Sequence, residues 1–178
     1  MPNYCDFQMI VRGSKESINE LIDILEYRHP LYSFYRVLDS YVYEEGEGYA
    51  CICGDVAWSV NSTLLDQSAK NVNHRNSTLT TLDKESARLN LCCEIFSSEP
   101  GIGFQEHYII KDGQILTEEC VDYSEYWFED SMWDGDDVNE RFKNFCEYYI
   151  LDGYSIDDLS DDKVITTGGF ENFGVWAS

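Results

Sequence analysis

Residues 91–122 read LCCEIFSSEPGIGFQEHYIIKDGQILTEECVD, and no other stretch constrains the fold as strongly. Three extended segments run through it: Leu91–Ser97, Gly103–Lys111 and Gln114–Asp122. In the first, Cys93 and Ile95 share one face, while Cys92, Glu94 and Phe96 share the other. Phe104, Tyr108 and Ile110 recur at period two in the second, as do Ile115, Thr117 and Val121 in the third. Lys111-Asp112-Gly113 supplies a tight turn, because glycine accepts the positive φ of a short hairpin loop. Glu99-Pro100-Gly101-Ile102-Gly103 makes a wider connection. Such a meander is marginal alone, so helices from elsewhere in the chain must cover its apolar face.

The preceding chain supplies one. Tyr4–Arg12 reads as a strand with Cys5, Phe7, Met9 and Val11 on one face. Ser14 is a ready N-cap for a helix over Lys15–Tyr27. Ile18, Leu21, Ile22 and Leu25 form the apolar stripe expected to pack on that strand, and His29-Pro30 closes the helix. Leu31–Tyr43 is apolar and aromatic without a clean period, and Glu44–Gly48 reads as an exposed turn. Tyr49–Ser59 is a strand interrupted at Gly54. Ser59–Ser77 is polar and asparagine-rich, either loop or loose helix. A short helix over Lys84–Leu89 is expected next, with Asp83 as N-cap. Beyond the meander, Tyr123–Trp133 mixes aromatics and acids. Val138, Phe142, Phe145 and Tyr149 mark a helix over Val138–Leu151, and the glycine-rich stretch Val164–Trp176 holds one short strand. The organisation expected is an α+β core over 1–122 with an acidic, aromatic-rich extension over 123–178 packed on it.

At 178 residues and 43% hydrophobic content, the chain can bury a real core. Its net charge is -22, and residues 90–178, with 21 acids and 4 bases, hold -17 of it. Repulsion on this scale disfavours direct binding to nucleic acid or to an anionic membrane, and favours a basic partner. The seven cysteines sit mostly in apolar or alternating runs. With no export signal at the start, a reducing cytoplasm is expected.

The opening Met1-Pro2-Asn3-Tyr4-Cys5 resembles the MPNWCxN start of YubB-like proteins, which carry a ferredoxin-like domain. Glu99-Pro100-Gly101-Ile102-Gly103-Phe104 resembles their EPGxGF segment, and Gly54–Val60, GDVAWSV, is similar to a tryptophan-containing strand of the group. These anchors span about the first two thirds of the chain. The resemblance implies an antiparallel sheet with helices packed on one face, in proteins of plasmids, phages and other mobile elements. It implies no catalytic residues. Two departures stand out: Tyr4 replaces the usual tryptophan, and Asp6 stands before Phe7 where an amide-rich run is expected.

Catalytic and metal motifs are absent. Cys51-Ile52-Cys53 and Cys92-Cys93 lack zinc-knuckle spacing, and Asp130–Glu140 misses the calcium-loop register. No phosphate-loop, dinucleotide or nucleophile-elbow sequence occurs. Of the histidines, His29 and His74 lie at a helix end and in a polar loop, and His107 could pair with Cys120 across the hairpin. No cofactor is expected.

The acidic, aromatic surface carries the functional expectation. Glu118, Glu119, Asp122, Glu125, Glu129, Asp130, Asp134, Asp136 and Asp137 fall within 20 residues, followed by Asp157, Asp158, Asp161 and Asp162. Tyr126, Trp127 and Trp133 interleave with them. Such carboxylates can imitate the charge of a nucleic-acid backbone while aromatics supply desolvated anchors. The expected partner is a basic nucleic-acid-binding protein, most concretely a CRISPR effector or another defence protein that this chain inhibits. The alternatives are a small enzyme, or an accessory protein whose carboxylates only keep it soluble.

Overall fold

The computed structural model describes residues 3–65 and 78–177. Strand β1 (Tyr4–Arg12) leads into helix α1 (Lys15–Leu25), a short β2 (Tyr32–Ser33), and a hairpin of β3 (Val37–Gly46) and β4 (Tyr49–Ala57). A π-helical turn at Asn61–Leu65, a short β5 (Thr78–Leu79) and α2 (Leu82–Leu89) follow. The meander appears as β6 (Cys92–Glu99), β7 (Phe104–Lys111) and β8 (Gln114–Trp127). Helix α3 (Val138–Tyr149) and β9 (Val164–Gly168) come last. The main sheet has the order β3-β4-β1-β6-β7-β8-β9, with every neighbouring pair antiparallel. β2 and β5 form a separate parallel pair. This is an α+β fold built on a many-stranded antiparallel sheet.

Ser14 caps α1 by accepting the Ser17 N–H at 3.1 Å. Its buried stripe is Ile18, Leu21, Ile24 and Leu25; Ile22, expected in it, is only half-buried. Ile24 lies three residues beyond Leu21 and completes the face that meets the sheet. That stripe joins Cys5, Phe7, Met9 and Val11 of β1, Ile52 of β4, Cys93 and Ile95 of β6 and Tyr108 and Ile110 of β7 in one apolar cluster. Helix α2 begins at Leu82 after Thr81, so Asp83 is a first-turn residue near the positive end of the helix dipole and not the expected cap.

Three other expectations change. Glu44, Glu45 and Gly46 belong to β3, and the turn narrows to Glu47-Gly48, where Gly48 has φ +80°. β4 runs unbroken through Gly54; the irregularities lie on its partner β3, at Val37/Asp39 and Val42/Glu44. Gly54 is glycine because a Cβ would run into the Asp39 carbonyl and the Phe7 ring. β8 continues through Asp122 to Trp127, so the boundary drawn there falls inside a strand whose last five residues pair with β9. Residues 66–77, with His74 and most of the asparagine-rich stretch, lie outside the described residues.

The Glu-Pro-Gly-Ile-Gly-Phe segment has a structural job. The buried Glu99 carboxylate accepts the Ile102 N–H, and the Glu99 carbonyl accepts the Gly103 N–H at 2.9 Å. Gly103, at φ +95°, brings its carbonyl within 3.0 Å of the Tyr123 N–H, leaving no room for a side chain.

Helices α1 and α2 cover one face of the sheet. The other is crossed by a strap, residues 169–177. Phe170, Phe173 and Trp176 close on Phe96, with centroids at 6.0, 5.3 and 5.6 Å. Gln105 accepts the Phe170 N–H at 2.8 Å, Glu94 accepts the Ala177 N–H at 2.7 Å, and Arg12 donates to the Ala177 carbonyl at 2.9 Å. The strap departs from β9 through Gly168 and Gly169, at φ +69° and +81°; a Cβ on Gly168 would collide with the Asp122 carbonyl.

On the same face Asp55 lies directly opposite Asp6 on one side and Asp39 on the other. Burial first, then Asp6 and Asp39, push the Asp55 carboxyl up to about 6. The folded state thus keeps this proton to higher pH than the unfolded chain does. The stability it contributes is fully present below the ordinary carboxylate range and is lost as pH rises through about 6. Asp55→Asn is expected to melt like the parent near pH 4 and to gain about 1 kcal/mol at pH 8, after allowing for solvent screening of a half-exposed group. Melting curves across that range check it; an equal gain at both ends would refute the like-charge origin. Asp6, the departure from the amide-rich opening, is one source of this repulsion.

Candidate partner-binding surface

β8 brings the first expected acids together in sequence but not on one face. Glu118 lies opposite Tyr108 and accepts from Asn61 at 3.3 Å, whereas Glu119 lies opposite His107 on the strap side. Asp122 is exposed. Tyr123 donates its hydroxyl proton to Glu125, which is half-buried.

Past β8 the chain packs a second apolar cluster: Phe128, Phe142, Phe145, Cys146, Leu151 and Ile165. Several acids serve to build it. Arg141 clamps Asp130 through Nε at 2.5 Å and Nη2 at 3.3 Å, and donates from Nη1 to the Gly135 carbonyl at 2.9 Å. Asp137 caps α3 by accepting the Glu140 N–H at 2.9 Å, while the Glu140 carboxylate accepts the Asp136 N–H at 2.8 Å. Asp158 accepts the Ser155 N–H at 2.6 Å and the Ser155 hydroxyl, bonds that hold its carboxyl below the usual range. Glu129 is exposed and accepts from Ser131 at 3.1 Å.

The remaining carboxylates do nothing for the fold. Among the described residues Asp122, Asp134, Asp136, Asp157, Asp161 and Asp162 are exposed and make no side-chain hydrogen bond or ion pair. The expected aromatics divide too. Tyr126 packs on Tyr149 at 5.1 Å, and Trp133 wedges between Phe145 at 5.3 Å and Tyr148 at 5.6 Å. Trp127, 64% exposed, stands opposite Val164, two residues past Asp162.

The most exposed apolar and aromatic residues of the extension are Met132, Tyr148 and Ile150, at 73, 71 and 81%, and nothing in the sequence singles them out. Ile150 is the informative one. It ends α3 at φ +57°, the left-handed conformation in which α2 uses Asn90 at +53°. A β-branched residue is strained there; the Leu151 N–H bond to the Cys146 carbonyl at 2.9 Å and the burial of Leu151 in the second cluster hold it.

No family model, curated protein or solved structure matches the chain. The surface therefore has to be read from its own chemistry. Among the described residues no group of three or more His, Cys, Asp or Glu side chains is arranged to hold a metal ion, and no helix is long and apolar enough to cross a membrane.

The pair of His107 and Cys120 that the hairpin allowed, without any motif indicating it, does not form. Cys120 lies opposite Glu106, on the helix-covered side, because adjacent strand residues point to opposite faces. The His107 ring instead lies between Glu94, 3.1 Å from Nε2, and Glu119, 3.2 Å from Nδ1. Glu106 is buried and fully engaged: Val60 N–H at 2.9 Å, Ser97 at 2.8 Å and Tyr108 at 3.1 Å all donate to it. Burial and the Glu106 charge raise the Tyr108 hydroxyl, and burial pushes the Cys5 thiol up to about 12. Neither the Tyr108 hydroxyl nor the Cys5 thiol is poised to lose a proton near neutral pH.

Proposed function

We propose that this protein is an acidic interaction protein that binds a basic nucleic-acid-binding protein and blocks it by imitating nucleic-acid charge. The observation that carries the reading is Ile150, 81% exposed at φ +57°, in a chain whose Asp134, Asp136, Asp157, Asp161 and Asp162 are exposed and make no side-chain bond among the described residues. A solubility device needs charge alone; it gains nothing from a strained, exposed isoleucine or from the outward Trp127 and Tyr148. Like charge argues against direct nucleic-acid contact. The strand order β6-β1-β4-β3, with α1 and α2 as the crossovers, supports a ferredoxin-like core. Together with the YubB-like resemblance it supports a mobile-element setting, where a CRISPR effector or another defence protein is the natural target. Free cysteines throughout support a reducing, cytoplasmic location.

The test separates charge from anchor. Asp130 and Asp137 hold the fold, so the charge variant changes Asp134, Asp136, Asp157, Asp161 and Asp162 to Asn. It is expected to melt like the parent, associate more slowly with a basic nucleic-acid-binding partner recovered by pull-down from host lysate and lose much of its salt dependence. Ile150→Asn is expected to be more stable by about 1 kcal/mol, yet to bind more weakly by about 2 kcal/mol. Competition against labelled nucleic acid reads both. Equal competition by all three proteins, or a ternary complex with nucleic acid, would overturn the mimicry.

A further inference from the structure

We propose that the cleft between β7 and the 169–177 strap binds a guanidinium group carried on an aliphatic stem. The cleft encloses about 310 Å³ and is bounded by Glu94, Phe96, His107, Glu119, Phe170 and Glu171, among others. That volume suits a small ligand. Three carboxylates face it against one imidazole, and neither lysine nor arginine lines it.

Glu94 is the deepest of these groups, its side chain 4% exposed. Its oxygens meet only His107 and the Ala177 N–H; among the described residues no lysine or arginine pairs with it. Both oxygens are thus hydrogen-bonded, but no lysine or arginine offsets the charge, so a cation entering the cleft is attracted to it. Glu119, 58% exposed, stands at the mouth on the far side of the His107 ring. That ring lies flat on Phe96, with centroids 4.2 Å apart and planes 8° apart, and Phe170 meets it edge-on at 5.9 Å.

Phe96 and His107 cover each other's faces, so the half-buried Phe170 ring is the aromatic surface left to the cleft, and with carboxylates at its rim it matches one chemistry best. A guanidinium donates in its plane to carboxylates and stacks through its faces, and it sheds water more readily than an ammonium. An anion would be repelled, and an uncharged apolar ligand would leave the carboxylates without a partner. A shared metal ion does not fit, because Glu94 and Glu119 approach different nitrogens of His107. The inference stands apart from the proposed function; only Glu119 belongs to both surfaces.

The experiment titrates the intact protein with n-butylguanidinium, n-butylammonium, n-butanol and a blocked Gly-Arg-Gly peptide. The Ile109 methyl and His107 ring signals are followed by NMR. Butylguanidinium is expected to move both signals with saturation below about 50 mM, and butylammonium to bind more weakly. Butanol should leave the signals in place. Glu119→Gln and Glu171→Gln, both at exposed positions, should each weaken binding about fivefold, and the distant Asp157→Asn should not. If the peptide moves the same signals, the stem belongs to a protein side chain; if only the free cation does, it belongs to a small molecule. Either result supports the proposal. Unmoved signals at about 50 mM would overturn it, as would equal binding of butylammonium, or equal weakening by all three variants, which marks diffuse attraction to an acidic protein.

Discussion

Phe145→Ala is expected to cost about 3–5 kcal/mol and to melt the second apolar cluster before the first. Phe145 is fully buried and touches Phe128, Phe142, Trp133 and Tyr149 at centroid distances of 5.2–5.7 Å. Its cluster is small, so little can collapse into the space left behind. The tie to the main core is β8, whose first nine residues, Leu116 excepted, pair with β7 and whose last five pair with β9. Hydrogen exchange on the variant should show protection lost in α3 and β9 while β1 and β6 keep theirs. Uniform loss across the sheet would mean that the two clusters form one cooperative unit.

The second large effect is expected at Glu106. Glu106→Ala removes the acceptor of three donors in a buried place, leaving the Val60 N–H and the Ser97 and Tyr108 hydroxyls to find others. A loss of about 3–5 kcal/mol follows from orphaned donors and a new void together. Glu106→Gln keeps the volume and one carbonyl acceptor, so it should lose less than half as much. Denaturant midpoints compare the two. If both lose equally, the charge itself, and not the hydrogen-bond geometry, holds the π-helical turn against the sheet.

Much of the core was legible because period decides it. β1, β6 and β7 alternate, and α1 shows its stripe, so their faces follow from sequence alone; in β8 a bulge sets Ile115 opposite Ile110 but Thr117 opposite Ile109, so the shared face expected for Ile115, Thr117 and Val121 is broken. β8 past Asp122 was not legible: Tyr123 to Tyr126 are all half-buried, so the alternation that would betray a strand is missing. The strap was equally hidden, since its glycines and aromatics have no period and its ties run to Arg12, Glu94 and Gln105 far back in the chain. At the candidate surface, composition revealed the acids but not their division of labour. Asp130 depends on Arg141, eleven residues on, and Glu119 on a histidine across the hairpin. Ile150 went unnoticed because its message is in its backbone angle, which no residue count carries.

The strap has a consequence for biosynthesis. It lies C-terminal to every strand of the main sheet, so the whole sheet emerges from the ribosome before its cover does. Throughout that interval Phe96, on which three strap rings close in the finished protein, faces water or whatever else is nearby. A nascent chain stalled short of Phe170 would present a sticky sheet with one side dressed by helices and the other bare. The heavy negative charge of the later residues, translated alongside, keeps such intermediates apart until the last aromatic side chains settle.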